Sequence, residues 1–308
     1  DPSGEQLKFV LAAIALIAVS GVATPHLLRE QAWTVESAAL AHDLTHGPRE
    51  CAGALSREAE AGRALFRSPG LLGGPAARLG LSCSACHSNG RVNARFFVPE
   101  LTTRPGAADV TSKWPSRVRG DGVMNPRDIP DLVGVGERPT HGQHADPSLE
   151  HFVHSVIEEE FQGEAPAPQT FAALLAYLRA LDARACAPGE TAIHLSGAVN
   201  DVGRALAAAQ GVDASTARAV LLAAQDGMGR IVERLPTPRF AGGRRGLEAL
   251  SRELGTMRNA SDLAATLQTA GPGWDARFGA VIARIAPRER LTYFNEATLR
   301  RSLAARPR

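Results

Sequence analysis

Residues 81 to 90 read Leu-Ser-Cys-Ser-Ala-Cys-His-Ser-Asn-Gly, in a chain of 308 residues with only four cysteines. Cys83 and Cys86 stand three apart and His87 follows directly. Cys-X-X-Cys-His is the attachment signature of a c-type haem. Two thiols on one helical turn match the separation of the porphyrin vinyl groups, and the next residue then sits under the iron as proximal ligand. A redox dithiol or half a zinc site would use the same two cysteines. The first calls for a βαβ context and the second for another ligand pair at suitable spacing, and the sequence offers neither.

Haem attachment of this kind takes place outside the cytoplasm, and the N-terminus fits export. Phe9 to Ala23 is fifteen residues without a charge, followed by Thr24-Pro25. A membrane helix needs about 20 residues, with a lower limit near 17. Starting at Leu7 with Lys8 snorkelling reaches that range. Ser20-Gly21-Val22-Ala23 would also serve as a leader cleavage site. We expect an N-terminal anchor over 1–25, with a cleaved leader as the other reading and the haem on the periplasmic side in either case.

The flanks of the motif carry helical patterns. Arg57 to Phe66 (REAEAGRALF) and Phe171 to Leu181 (FAALLAYLRAL) are both helical, the second with Leu174, Leu178 and Leu181 on one face. The small Gly62 beside the bulky Phe66 allows the first helix to cross closely over Tyr177 of the second.

Arg57 to Asp182 resembles a c-type cytochrome domain, and more specifically a haem domain of the bacterial di-haem cytochrome c peroxidases. The resemblance rests on GRALF, GLSCSACHSNG, GDGVMNPRDIPDL and RPTHGQHADPSLEHFV. It implies a haem domain of small helices. Those peroxidases carry two attachment motifs and this chain has one, so the resemblance does not extend to peroxidase activity. In haem domains of this kind a proline carbonyl some twelve residues after the proximal histidine orients its ring, which points to Pro99 unless that is a plain loop proline.

Function turns on the sixth iron ligand. Methionine gives a high-potential carrier, a second histidine a lower-potential one, and an open site permits peroxide chemistry. Of three methionines, Met228 and Met257 keep step with apolar helix faces, whereas Met124 lies in a turn-rich loop. In the resembled family the distal ligand comes from a loop ahead of a Pro-x-Leu stretch, here Pro130-Asp131-Leu132. Met124 is the expected ligand, His141 the runner-up, and His144 stands behind it. His151 and His154 fall off the apolar stripe of their helix and read as solvated. His42 and His46 have metal-pair spacing but no third ligand near them in sequence. Arg91 and Arg95 are candidates for the haem propionates.

Cys51 and Cys186 bracket the haem region and suggest a disulfide in an oxidising compartment. From Glu190 onward alanine-rich helical patterns recur: Leu195 to Leu206, Leu221 to Leu235, Leu247 to Met257, and Trp274 to Ile285. Asp213 and Ser261 read as caps, and Pro236-Thr237-Pro238, Gly242-Gly243 and Gly271-Pro272-Gly273 as separators. Residues 187–308 hold 17 arginines and no lysine against 11 acids, a surplus of +6, which leaves −4 for the rest of a chain at +2 overall. Without lysine clusters or interleaved aromatics this does not indicate nucleic acid. It reads as a preference for acidic surfaces or as a solvated exterior.

The expected fold is all-α: an N-terminal membrane anchor helix (1–25), a linker (26–50), a cytochrome c-like haem domain (51–187) and a C-terminal helical bundle for docking (188–308). The expected function is a membrane-anchored cytochrome with one covalent haem c, passing single electrons to other subunits of a complex or to a soluble redox protein. A peroxidase-like enzyme with an open distal site and a mainly structural subunit are the alternatives.

Overall fold

The computed structural model describes residues 26–306, and these are mainly helical. In chain order the helices are α1 (Leu40–Asp43), α2 (Arg57–Phe66), α3 (Gly74–Leu79), α4 (Cys83–Cys86), α5 (Leu149–Ser155) and α6 (Pro168–Arg179) in the front half. Then come α7 (Leu195–Ala209), α8 (Ala214–Glu233), α9 (Ala241–Arg258), α10 (Leu263–Ile285) and α11 (Glu296–Ala304). Two small antiparallel sheets join distant segments: β1 (His46–Pro48) with β4 (Glu190–Ala192), and β2 (Ala107–Ala108) with β3 (Arg127–Asp128). Among these residues no helix is long and apolar enough to cross a membrane. The expected anchor over 1–25 lies outside the described residues.

Ser56 starts α2 by accepting the Ala59 amide at 3.1 Å, filling one of the orphan donors of a helix end. The helix then buries both sides. Phe66 joins Tyr177, Leu174 and Leu178 of α6 in one cluster, with the Phe66 and Tyr177 ring centroids 5.2 Å apart. The crossing is made at Gly62: a Cβ built there would fall 1.8 Å from the Ala173 carbonyl oxygen and 3.0 Å from Tyr177 Cβ. The other side of α2, through Ala61, Ala64 and Leu65, belongs to the same buried cluster as α7 to α10. The core thus runs continuously across the expected boundary at 187/188.

In the back half the apolar spacings became helix cores as expected. Leu221, Met228, Ile231, Leu247, Leu254 and Trp274 are all buried. Asp213 caps α8, accepting from the Ser215 and Thr216 amides. The cap of α10 is Asp262, one residue beyond the expected Ser261, because its carboxylate reaches the Ala265 amide. Two expected separators lie inside helices. Gly242-Gly243 falls in the first turn of α9, where Gly243 meets Ile285 of α10. Gly271-Pro272-Gly273 is spanned by α10. Pro272 is exposed, while Leu267 and Trp274 on either side of it are buried, so packing holds the helix through a residue that removes one of its hydrogen bonds.

The expected linker, 26–50, is packed against the back half. Leu28, Ala41 and Leu44 form a cluster with Tyr293 and Leu299. Arg29 pairs with Asp226 and Glu233, and buried Arg234 pairs with Glu30 at 2.7 Å and donates to the Leu44 carbonyl at 2.8 Å. Part of the arginine surplus is therefore used internally, against acids of the front half. The expected Cys51–Cys186 disulfide is formed, 135 residues apart in sequence. Closing that loop restricts the unfolded chain by about 4–5 kcal/mol on the entropic account, and the β1–β4 pairing lies beside it.

Glu50 ties the two halves together. It accepts from Arg63 Nε at 2.8 Å, Arg67 Nη2 at 3.1 Å and the Tyr177 hydroxyl at 2.7 Å, while Arg63 also reaches Asp201 of α7 at 2.7 Å. Burial would raise this carboxyl, but Arg67 and Arg63 outweigh it and hold the group down to about 2 from an ordinary value of 4.5. A folded-state value below the unfolded one means the stabilisation is present above pH 4.5 and is lost as pH falls toward 2. The gap corresponds to about 3 kcal/mol. Glu50→Gln is expected to lower stability by about that much at pH 7 and to flatten the acid limb of the denaturation curve between pH 4.5 and 2. An unchanged acid limb in urea titrations would refute this assignment.

Candidate functional site

Cys83 and Cys86 lie on the single turn of α4, closed by the His87 amide donating to the Cys83 carbonyl at 2.9 Å. So short a helix keeps its C-terminal carbonyls only if something else satisfies them. Asn93 does so: its side-chain amide donates to the Ala85 carbonyl at 2.8 Å and its backbone NH to the Cys86 carbonyl at 2.8 Å. Immediately after the histidine the chain reverses at Asn89, whose φ of 52° is a conformation asparagine tolerates better than most residues. Asn89 is held from both sides, donating to the Pro48 carbonyl and accepting from Arg67 Nη2, each at 2.7 Å. The Glu50 cluster thus extends through Arg67 to the turn behind the motif.

The two cysteines face apolar surroundings. Both pack against a cluster that includes Leu81, Phe96, Leu101, Ile129 and Phe161, with Trp114 half-buried beside it. Cys83 also touches a second cluster holding Val135, Leu149, Ile157 and Leu178. Neither sulfur is in a disulfide. Burial pushes the Cys83 thiol up to about 12 and raises Cys86 as well, with Cys83 adding to the latter. A redox dithiol or thiolate nucleophile would be lowered by cationic neighbours, so this pair lacks the electrostatics of one.

His87 Nδ1 lies 2.9 Å from the Pro130 carbonyl oxygen. A carbonyl only accepts, so Nδ1 carries the proton and Nε2 keeps its lone pair, the tautomer required of a metal ligand. Burial lowers this imidazole to about 4, against the upward pull of the Pro130 bond and Asp131, so the ring is neutral at pH 7. Its partner differs from the expected Pro99, which is exposed on the turn after Val98. The Leu132 amide donates to the Gly90 carbonyl at 2.9 Å and lays segment 130–132 alongside the motif. Arg91 and Arg138 brace that segment: Arg91 pairs with the Asp131 carboxylate, and Arg138 donates to the Asp131 and Val133 carbonyls.

The remaining candidates are scattered. Met124 is 44% exposed on its loop, where Asn125 and Val123 amides donate to Asp109 and Asp121. Val118 and Val123, also exposed, stand on the same loop. His141 is buried, its backbone bridged in both directions to Asp146 and its ring 6.2 Å from that of Phe152, whereas His144 is exposed. His151 pairs with Asp146, and His154 with Glu158. Arg91 and Arg95, expected at propionates, are engaged by the chain's own carboxylates, Arg95 with Asp43 at 2.8 Å and with Glu190. A cavity of about 940 Å³ opens beside Ser84 of α4 and Ser88 of the turn that follows it. Its lining includes Arg63, Arg67, Arg91 and Asp201 but neither cysteine nor His87, so it borders the motif without reaching the two sulfurs or the imidazole.

The residues present fit a covalent haem in donor chemistry: two protonated, apolar-lined thiols on one turn, and a neutral imidazole with Nε2 free for a metal. Sequence reasoning missed Pro130 and its braces because the link spans 43 positions. Its only signal was the quoted stretch GDGVMNPRDIPDL. No protein-family model, curated protein or solved structure matches the chain.

Proposed function

We propose that this chain is a monohaem c-type cytochrome that carries single electrons. The observation behind this reading is His87, held through Nδ1 by the Pro130 carbonyl at 2.9 Å directly after two unpaired thiols on one helical turn. Bound on Cys83, Cys86 and His87, haem would supply a one-electron iron couple. The protein's own part is to fix the imidazole, exclude water with Leu81, Phe96, Ile129 and Phe161, and keep the motif rigid through Asn89 and Asn93. Met124 is the proposed distal ligand. Its thioether is exposed on the same loop as the exposed Val118 and Val123, and a macrocycle face would cover these apolar side chains.

The apolar run at 9–23 supports a membrane anchor with the haem on the periplasmic side, and delivery to another subunit or to a soluble redox protein. The spectrum of the haem-loaded protein tests the carrier reading. In the oxidised form a sulfur-to-iron charge-transfer band near the red end of the visible is expected. Met124→Ala should abolish it and lower the reduction potential, while His141→Ala leaves both unchanged. Oxidised haem that is already high-spin and turns over peroxide would favour the enzyme instead.

A further inference from the structure

His42 and His46, which lack a third ligand in the sequence, acquire one in the fold. His42 lies in α1 and His46 begins β1, and their rings stack with centroids 4.1 Å apart. Glu296, the first residue of α11, brings Oε2 to 3.3 Å from His42 Nδ1 and 4.0 Å from His46 Nδ1. One ligand atom from each of the three residues lies within 4.8 Å of the other two. The other Glu296 oxygen is taken by Arg300, so Oε2 is the one turned to the imidazoles.

A second feature points to a metal. His42 Nε2 lies 3.1 Å from Glu190 Oε2, and Arg95 holds the other oxygen of Glu190. A carboxylate only accepts, so both ring nitrogens donate, Nε2 to Glu190 and Nδ1 to Glu296, and the two carboxylates favour the protonated ring. A metal ion at this place would displace the Nδ1 proton that His42 shares with Glu296 Oε2, while Nε2 keeps its bond to Glu190. A histidine whose far nitrogen donates to a fixed carboxylate is the usual support of a metal-binding imidazole.

We propose that His42, His46 and Glu296 bind one zinc ion that fastens the N-terminal segment to the last helix. Two imidazoles and one carboxylate suit zinc, with bonds of about 2.0–2.2 Å. Around a tetrahedral ion such bonds set ligand atoms about 3.4 Å apart, which the His42–Glu296 pair already matches. His46 must close on Glu296 from 4.0 Å toward that spacing, giving up the contacts of its Nδ1 with the His42 carbonyl at 3.3 Å and the Thr45 hydroxyl at 3.2 Å. All three side chains are partly exposed and able to make that adjustment. The ion would lock α1 and β1 to α11 next to the cluster of Ala41, Leu44 and Leu299.

This proposal does not rest on the haem reading. The full-length chain, with Cys83 and Cys86 alkylated if they are free, is stripped with chelator and titrated with zinc chloride by calorimetry. One equivalent is expected, weakened at least tenfold in both His46→Ala and Glu296→Gln. The unfolding temperature should rise with zinc in the parent and not in His46→Ala. An absence of stoichiometric binding, or binding equal in the parent and the Glu296→Gln variant, overturns the site. Alkylation removes the other thiols that would take zinc, so a colourless protein can still give a clear answer.

Discussion

A chain carrying Cys83→Ser and Cys86→Ser together is expected to retain no haem through acid-acetone extraction or denaturing electrophoresis, and the parent is expected to retain one per chain. Serine keeps the size and helical propensity of the turn but offers no sulfur for a thioether. The apolar surroundings of both positions and the Asn93 caps of α4 remain, so the local fold has little reason to change. His87→Ala separates attachment from ligation. It should leave the pigment covalently bound while removing the axial nitrogen that the Pro130 carbonyl orients. Retention of extractable pigment only, or a parent protein purified colourless from a host with the maturation machinery, would end the cytochrome reading.

Gly62→Val is expected to remove the folded state, and Gly62→Ala to weaken it in the same direction. Any Cβ at this position falls 1.8 Å from the oxygen and 2.6 Å from the carbon of the Ala173 carbonyl. Both are backbone atoms, so no rotamer change relieves the clash and α2 must move off α6. That movement opens the packing of Phe66 against Tyr177 and of Ala61 and Leu65 against the back half at once. Overpacking in a core costs about 1–3 kcal/mol where side chains can yield, and more where they cannot. For alanine we expect a loss of at least about 3 kcal/mol, seen as a fall of roughly 6–12 °C in unfolding temperature. For valine the loss approaches the whole net stability of a domain, about 5–15 kcal/mol. Circular dichroism melts of both variants give the measurement. An alanine variant as stable as the parent would contradict the crossing.

Much of the fold was legible because it depends on local spacing. The 3.6-residue periodicity marked α2, α6 and α7 to α10, and small Gly62 opposite Tyr177 marked how the first two meet. Reading glycine and proline as breakers failed at Gly242-Gly243 and at Gly271-Pro272-Gly273. There burial of Leu247, Leu267 and Trp274 outweighs weak local propensity, which amounts to about 1 kcal/mol for a glycine. Treating 26–50 as a linker failed for a related reason: its anchors, Asp226, Glu233, Arg234 and Leu299, lie some two hundred residues or more away.

The sequence by itself determined the motif at Cys83, Cys86 and His87, the mainly helical class and the pairing of Cys51 with Cys186. Each of these follows from chemistry carried by neighbours in the chain or, for the disulfide, from the scarcity of cysteines. Only the tertiary structure decided that Pro130 rather than Pro99 meets His87, that Glu50 is the hub between the halves, and that Glu296 stands beside His42 and His46. A hydrogen bond or an ion contact depends on a few ångströms of separation in space, and residues 43 or 254 positions apart leave no periodic trace of that closeness in the chain.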